Sequence, residues 1–173
     1  MKNTILLIAL AISASAFATH APAAHAPKQT DDTAVFEKLK TLGGFWKGTA
    51  VVAGSSMPTS VYFQVTSGGH AVEEVIAPHT DHEMVTIYYL DHKSLVLTHY
   101  CEMGNQPQMK LTANATPTNF GFDFTGGANI GPKDGHMHST TLKLISPTTM
   151  ETTWTAKGGD KTIFVVKMNL KKA

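Results

Sequence analysis

From Trp46 onward the chain alternates apolar and polar residues with a period of two, in ten short runs separated by turn residues. Successive side chains of a strand point to opposite faces, so this alternation makes a sheet with one dry face and one wet face. The runs span 46–53, 59–66, 71–77, 83–90, 94–103, 108–115, 119–125, 136–145, 149–157 and 161–171. Between them lie Gly54-Ser55-Ser56, Asp91-His92-Lys93, Ser146-Pro147, Gly158-Gly159-Asp160 and similar breaks, each short enough to link antiparallel neighbours. Ten consecutive antiparallel strands leave two exposed edges unless they close on themselves, and closure removes both. The expected fold class is therefore all-β: an up-and-down antiparallel barrel around an apolar interior. A short helix is expected before it, where Thr30, Asp31 and Asp32 offer capping oxygens, Phe36 and Leu39 share a face, and Gly43-Gly44 stops the turn.

Parity assigns side chains to the interior. In run 94–103 the apolar set is Leu95, Leu97, His99, Cys101 and Met103; in run 119–125 it is Phe120, Phe122 and Phe124. In run 136–145 it is His136, His138, Thr140, Leu142 and Leu144, and Met150, Trp154, Phe164, Val166 and Met168 continue the pattern. This places four potential ligand side chains (His99, Cys101, His136 and His138) inside with the aromatics.

Composition narrows the partners. A chain of 173 residues with 42% apolar and 16% charged residues suits one globular domain, here expected over 30–173. All fourteen basic residues are lysines, against thirteen acids. Without arginine the bidentate grips on phosphates are missing, so no nucleic-acid partner is expected. One cysteine excludes an intrachain disulfide and a cysteine-rich zinc site. Residues 1–18 read as a signal peptide: Lys2, an apolar run from Ile5 to Ile12, and Ala16-Phe17-Ala18 as a small-x-small cleavage site. That run is too short for a stable membrane span, so a periplasmic or secreted protein is expected. Residues 19–29, rich in Ala, Pro and His, read as a flexible leader carrying His20 and His25.

At Gly44-Phe45-Trp46 a G-x-W motif follows the helix. It resembles the opening of lipocalin-like (calycin) barrels, where the Trp plugs one end. The stretch from His82-Glu83-Met84-Val85-Thr86 through Thr98-His99-Tyr100-Cys101 to Gly104-Asn105-Gln106-Pro107 is more specific. With Gly135-His136-Met137-His138-Ser139 and Trp154, it resembles the bacterial family called domain of unknown function 1579 over about residue 42 to the C-terminus. The resemblance implies the barrel and no settled activity. More distantly, such barrels are similar to nitrobindin-like proteins, which hold haem through a histidine.

Three functions fit the residues. The first is a barrel whose cavity holds a small hydrophobic ligand against His99, Cys101, His136, His138, Glu74, Phe122 and Trp154. The second is haem or a transition metal on His99, His136 or His138, with Cys101 and Met103 as soft donors suited to zinc or copper. The third is a small-molecule enzyme using Glu74 or a histidine as general base. Glu74 shares parity with Val72 and Ile76 and is expected inside, where burial perturbs a carboxylate. Gly104-Asn105-Gln106-Pro107 reads as a turn by composition, its amides also suited to covering a pocket mouth, and the glycine-rich segment 126–135 is the expected lid. The export reading has a direct check: N-terminal sequencing of the exported chain should begin near Thr19, whereas an intact Met1 chain in the cytoplasm would overturn it.

Overall fold

The computed structural model describes residues 32–173. The signal-peptide and leader readings, His20 and His25, and the capping residues Thr30 and Asp31 lie outside the described residues. Helix α1 (Asp32–Lys40) leads into β1 (Gly44–Val52), β2 (Ser55–Thr66), β3 (Ala71–Ile76), β4 (Met84–Asp91) and β5 (Ser94–Tyr100). β6 (Gln106–Leu111), β7 (Asn119–Ala128), β8 (Gly135–Ser146), β9 (Thr149–Gly158) and β10 (Lys161–Lys172) complete the sheet. Each strand pairs with its sequence neighbours, and β1 pairs with β10 to close the ring. All ten expected strands are present, in the up-and-down order. Among the described residues no helix is long and apolar enough to cross a membrane.

The closure seam needs a glycine. Gly48 of β1 lies opposite Leu170 of β10. A Cβ there would overlap the Asn169 carbonyl oxygen, so any larger residue would push the closing strands apart. At the β1–β2 hairpin, Ala53 and Gly54 both take positive φ (48° and 84°), a two-residue turn whose twist matches the strands it joins.

The two ends of the barrel differ. At one end α1 buries Val35, Phe36 and Leu39, and Leu42 follows it into the core. The Asp32 carboxylate accepts the Leu95 amide at 2.8 Å, tying the helix to the start of β5. Trp46 is fully buried and its indole N–H donates to the Leu42 carbonyl at 2.8 Å. Phe120, Phe122, Leu95, Leu97, Leu142 and Leu170 fill the space above this plug. The other end carries the hairpin turn after β1, the loop 77–83, the turn 101–105 and the loop 129–134.

Three local expectations are corrected. β5 stops at Tyr100, not Met103, because Cys101 N–H donates to the Asn105 carbonyl and Gly104 N–H to the Cys101 carbonyl. This turn takes Met103 out of the alternation, leaving it 39% exposed and apart from the interior set. Gln106 and Pro107 belong to β6, where they face Ala128 and Gly127 of β7. The expected 126–135 lid therefore shrinks to 129–134, which is tied down: Gly131 N–H donates to Asp134 Oδ2 at 2.8 Å, and Asn129 Nδ2 to Gln106 Oε1 at 2.9 Å.

Phe122 is fully buried, with its ring 5.5 Å from Tyr88 and 6.3 Å from Phe120, centroid to centroid. Phe122→Ala should cost about 3–5 kcal/mol in chemical denaturation. A loss below about 1 kcal/mol would mean that this part of the interior is not close-packed.

Candidate functional site

Where the plugged half ends, the interior opens into a cavity of about 460 Å³. Small residues make the room: Ala50 and Val52 of β1, Ala77 after β3 and Val166 of β10 line the wall. Met57, Met84, Met137 and Met168 add flexible thioether side chains, which adapt to the shape of a guest. His99 and Trp154 are its most deeply buried polar-bearing residues, at 0% and 2% exposure. At the rim His82 and Glu102 face each other at 2.8 Å, joining the loop 77–83 to the turn 101–105. Below the same rim Asn105 is buried and its Nδ2 donates to the Gly135 carbonyl at 2.7 Å, anchoring that turn to β8.

A polar row crosses the wall beside the cavity. Glu74 lies opposite Thr86, and Thr86 opposite His99, so three adjacent strands contribute one polar side chain each. Glu74 is buried and accepts a 2.6 Å hydrogen bond from the Tyr88 hydroxyl. Burial raises its pKa to about 7, against the hydrogen bonds from Tyr88 and Thr86, which favour the carboxylate. The Tyr88 phenol is pushed well above its ordinary value by burial and by the adjacent Glu74. Thr86 Oγ1 and His99 Nδ1 are 2.9 Å apart. Burial lowers the His99 pKa to about 4, so the ring is neutral at pH 7. His99 Nε2 has no hydrogen-bond partner, and neither has Nε1 of Trp154, whose ring lies 4.6 Å from that of His99.

The other candidates lie elsewhere. Met137 and Ser139 oppose Ala156 and Thr155, so one extra residue, His138, is inserted into β8. This bulge reverses the parity below Ser139: Met137 takes the cavity position, and His136 falls opposite Lys157. His136 and His138 instead form a cluster with Phe124, whose ring lies 4.3 Å and 5.4 Å from theirs. His136 donates from Nδ1 to the Asp134 carbonyl at 3.0 Å and accepts at Nε2 from His138 Nδ1 at 3.2 Å. Burial lowers the His138 pKa, and Lys157 and His136 add to the effect. Cys101 is a buried free thiol in the turn after β5, with its pKa raised by burial. Phe122 belongs to the packed core and Glu74 to the wall; neither lines the cavity.

His99, Cys101, His136 and His138 thus do not converge as the parity argument expects. Among the described residues no group of three or more His, Cys, Asp or Glu side chains is placed to hold a metal ion. Of the histidines proposed for haem or metal, His99 alone lines the cavity. Sequence reasoning missed Thr86, Tyr88 and Met137. Thr86 and Tyr88 share the parity that marked Glu74, whereas Met137 carries no such signal.

The fold has a solved counterpart. A protein of unknown function from the DUF3598 family of Nostoc punctiforme superposes with a TM-score of 0.53 at 10% identity over 78% of this chain. The match spans 49% of that protein, about half its length. It supports the barrel and, at this identity, the barrel alone. No family profile and no curated protein matches the chain.

The two buried titrating groups pull stability in opposite directions with pH. His99, with its pKa lowered to about 4, favours the fold fully above its unfolded value of 6.5 and loses that contribution as pH falls toward 4. Glu74, raised to about 7, favours the fold below its unfolded value of 4.5 and loses that contribution as pH rises through 7. Glu74→Gln keeps an acceptor for Tyr88 and removes the second loss. Its stability relative to wild type should therefore rise by about 3 kcal/mol between pH 4.5 and pH 8 in chemical denaturation. A difference independent of pH would place Glu74 in contact with water.

Proposed function

We propose that this is an exported barrel that binds a small, mostly apolar molecule in its cavity. The observation that carries the reading is the cavity itself: about 460 Å³, walled by aliphatic, thioether and aromatic side chains, with two deeply buried rings that each keep an unpartnered nitrogen. That volume is within the range of small-molecule sites, which are mostly apolar and use a few fixed polar groups to orient the guest. Closure of the sheet supports it further, because a closed wall holds its shape without a ligand. The export signal over residues 1–18 and the motifs resembling domain of unknown function 1579 accord with a role outside the cytoplasm.

Glu74 and His99 flank Thr86 on neighbouring strands but do not favour an enzyme reading. Glu74 does not line the cavity, and His99, with its lowered pKa, is a weak base.

The test uses N-phenyl-1-naphthylamine, a neutral probe whose emission rises in apolar surroundings. Its emission should increase on mixing with the wild-type protein. Val166 lines the cavity beside Trp154, so Val166→Trp fills the space and should weaken binding about tenfold or more while the circular dichroism stays that of a sheet. Unchanged probe emission with the wild type would overturn the proposal, as would equal binding by the filled variant.

A further inference from the structure

Resting on the ligand-binding reading, we propose that the guest is a cationic amphiphile: an amine whose apolar body enters the barrel first and whose ammonium head stays at the mouth on the Glu102 carboxylate. Of the residues that line the cavity, Glu102 is the one carboxylate, and no lysine joins it. Its side chain is 46% exposed, so it meets both the cavity and the solvent. His82 Nδ1 lies 2.8 Å from one of its oxygens, Oε2. Among the described residues no protein group bonds the other, Oε1.

The lining sorts a guest by polarity. Its buried part offers almost no polar surface: Met137, Trp154 and Met168 are apolar there, and the unpartnered ring nitrogens of His99 and Trp154 are themselves covered. The polar atoms a guest can reach are at the rim, and they accept. Thr80 Oγ1 donates its one proton to the Ala77 carbonyl at 2.8 Å, so it meets a guest as an acceptor. Glu102 Oε1 accepts as well. An ammonium fits these atoms, because it carries three N–H donors and no acceptor. A carboxylate head would meet Glu102 with like charge, with only His82 beside it to offset the repulsion. A hydroxyl would fit the acceptors but gain little from the charge.

The surroundings carry the same sign. The connections at the open end (53–54, 77–83, 101–105, 129–134 and 159–160) hold Asp81, Glu83, Glu102, Asp134 and Asp160 against Lys133. Glu83 and Asp134 accept the His79 and Gly131 amides, which leaves their charge in place. Lys157 and Lys161 stand at strand ends beside these loops, outside the cavity lining. The connections at the plugged end hold Lys93 and no acid. A cleft edged by one sign of charge concentrates guests of the opposite sign, and Glu102 then supplies the contact.

Four probes that share one tail test this by calorimetry at pH 7 and low salt on the full chain: decylammonium, decyltrimethylammonium, 1-decanol and decanoate. Decylammonium should bind about tenfold tighter than decanoate, the combined effect of attraction for one and repulsion for the other at a half-exposed carboxylate. 1-Decanol should fall between them, and decyltrimethylammonium, which keeps the charge without the donors, between decylammonium and 1-decanol. Added salt should shrink the ratio, because the rim is open to solvent. Glu102→Gln should bring the ratio of decylammonium to decanoate affinity close to one. Glu151→Gln removes the same charge at the plugged end and should leave the ratio unchanged. Equal affinity for decylammonium and decanoate in the wild type overturns the head-group assignment and leaves cavity binding standing. Tightest binding by decanoate overturns it in favour of an anionic head at His82. A cation preference that survives Glu102→Gln, or decylammonium binding that survives Val166→Trp, removes the contact or the cavity from the account and sinks the proposal. Binding of none of the four, with no response to N-phenyl-1-naphthylamine, removes the ligand-binding reading itself.

Discussion

The pairing of β1 with β10 is the constraint on which the rest of this structure depends. It satisfies the last two strand edges, so every strand has a neighbour on both sides and the interior becomes a space of set width. The chain then has only side chains with which to fill that space. Where Trp46, Phe120, Phe122 and the leucines project inward it is solid; where Ala50, Val52 and Val166 do so, it is open. The close approach at Gly48 belongs to the same constraint, because any larger residue there meets the Asn169 carbonyl. Cavity and core are thus two consequences of one closure, graded along the barrel axis by side-chain volume.

Into this apolar frame the chain sets a row of polar groups that free energy alone does not favour. Glu74, Thr86 and His99 are buried, and burial penalises the charged form of both titrating members. The hydrogen bonds between Thr86 and His99 and between Tyr88 and Glu74 offset part of the cost and leave His99 Nε2 without a partner. A wall built for stability alone would carry leucine or valine at these positions. The row holds the His99 ring at Nδ1, with the ring set against that of Trp154.

The strand order was legible because period two survives through all ten runs. The histidine geometry was not. Reading parity from Leu142 and Thr140 toward His138 and His136 assumes a regular strand, and β8 departs from one at His138. A single inserted residue reverses every side chain beyond it, so Met137 enters the cavity and His136 leaves it. No residue near the bulge announces it, since His-Met-His alternates equally well in either register. Likewise Met103 counted as interior only while β5 was taken to continue; the turn that ends it depends on the Asn105 carbonyl, and Asn105 is itself placed by Gly135, thirty residues away.

The amino-acid sequence by itself determined the all-β class, the number and order of the strands, the helix with Trp46 behind it, and the inward placement of Glu74, His99, Phe122 and Trp154. These follow from local alternation and turn chemistry, which act over a few residues and need no knowledge of distant partners. Tertiary structure alone decided which half of the barrel stays open, that His99 meets Trp154 across it, and that Thr86 stands between His99 and Glu74. Those facts depend on the stagger between neighbouring strands and on one bulge, and register across a closed sheet is settled collectively by all ten pairings at once.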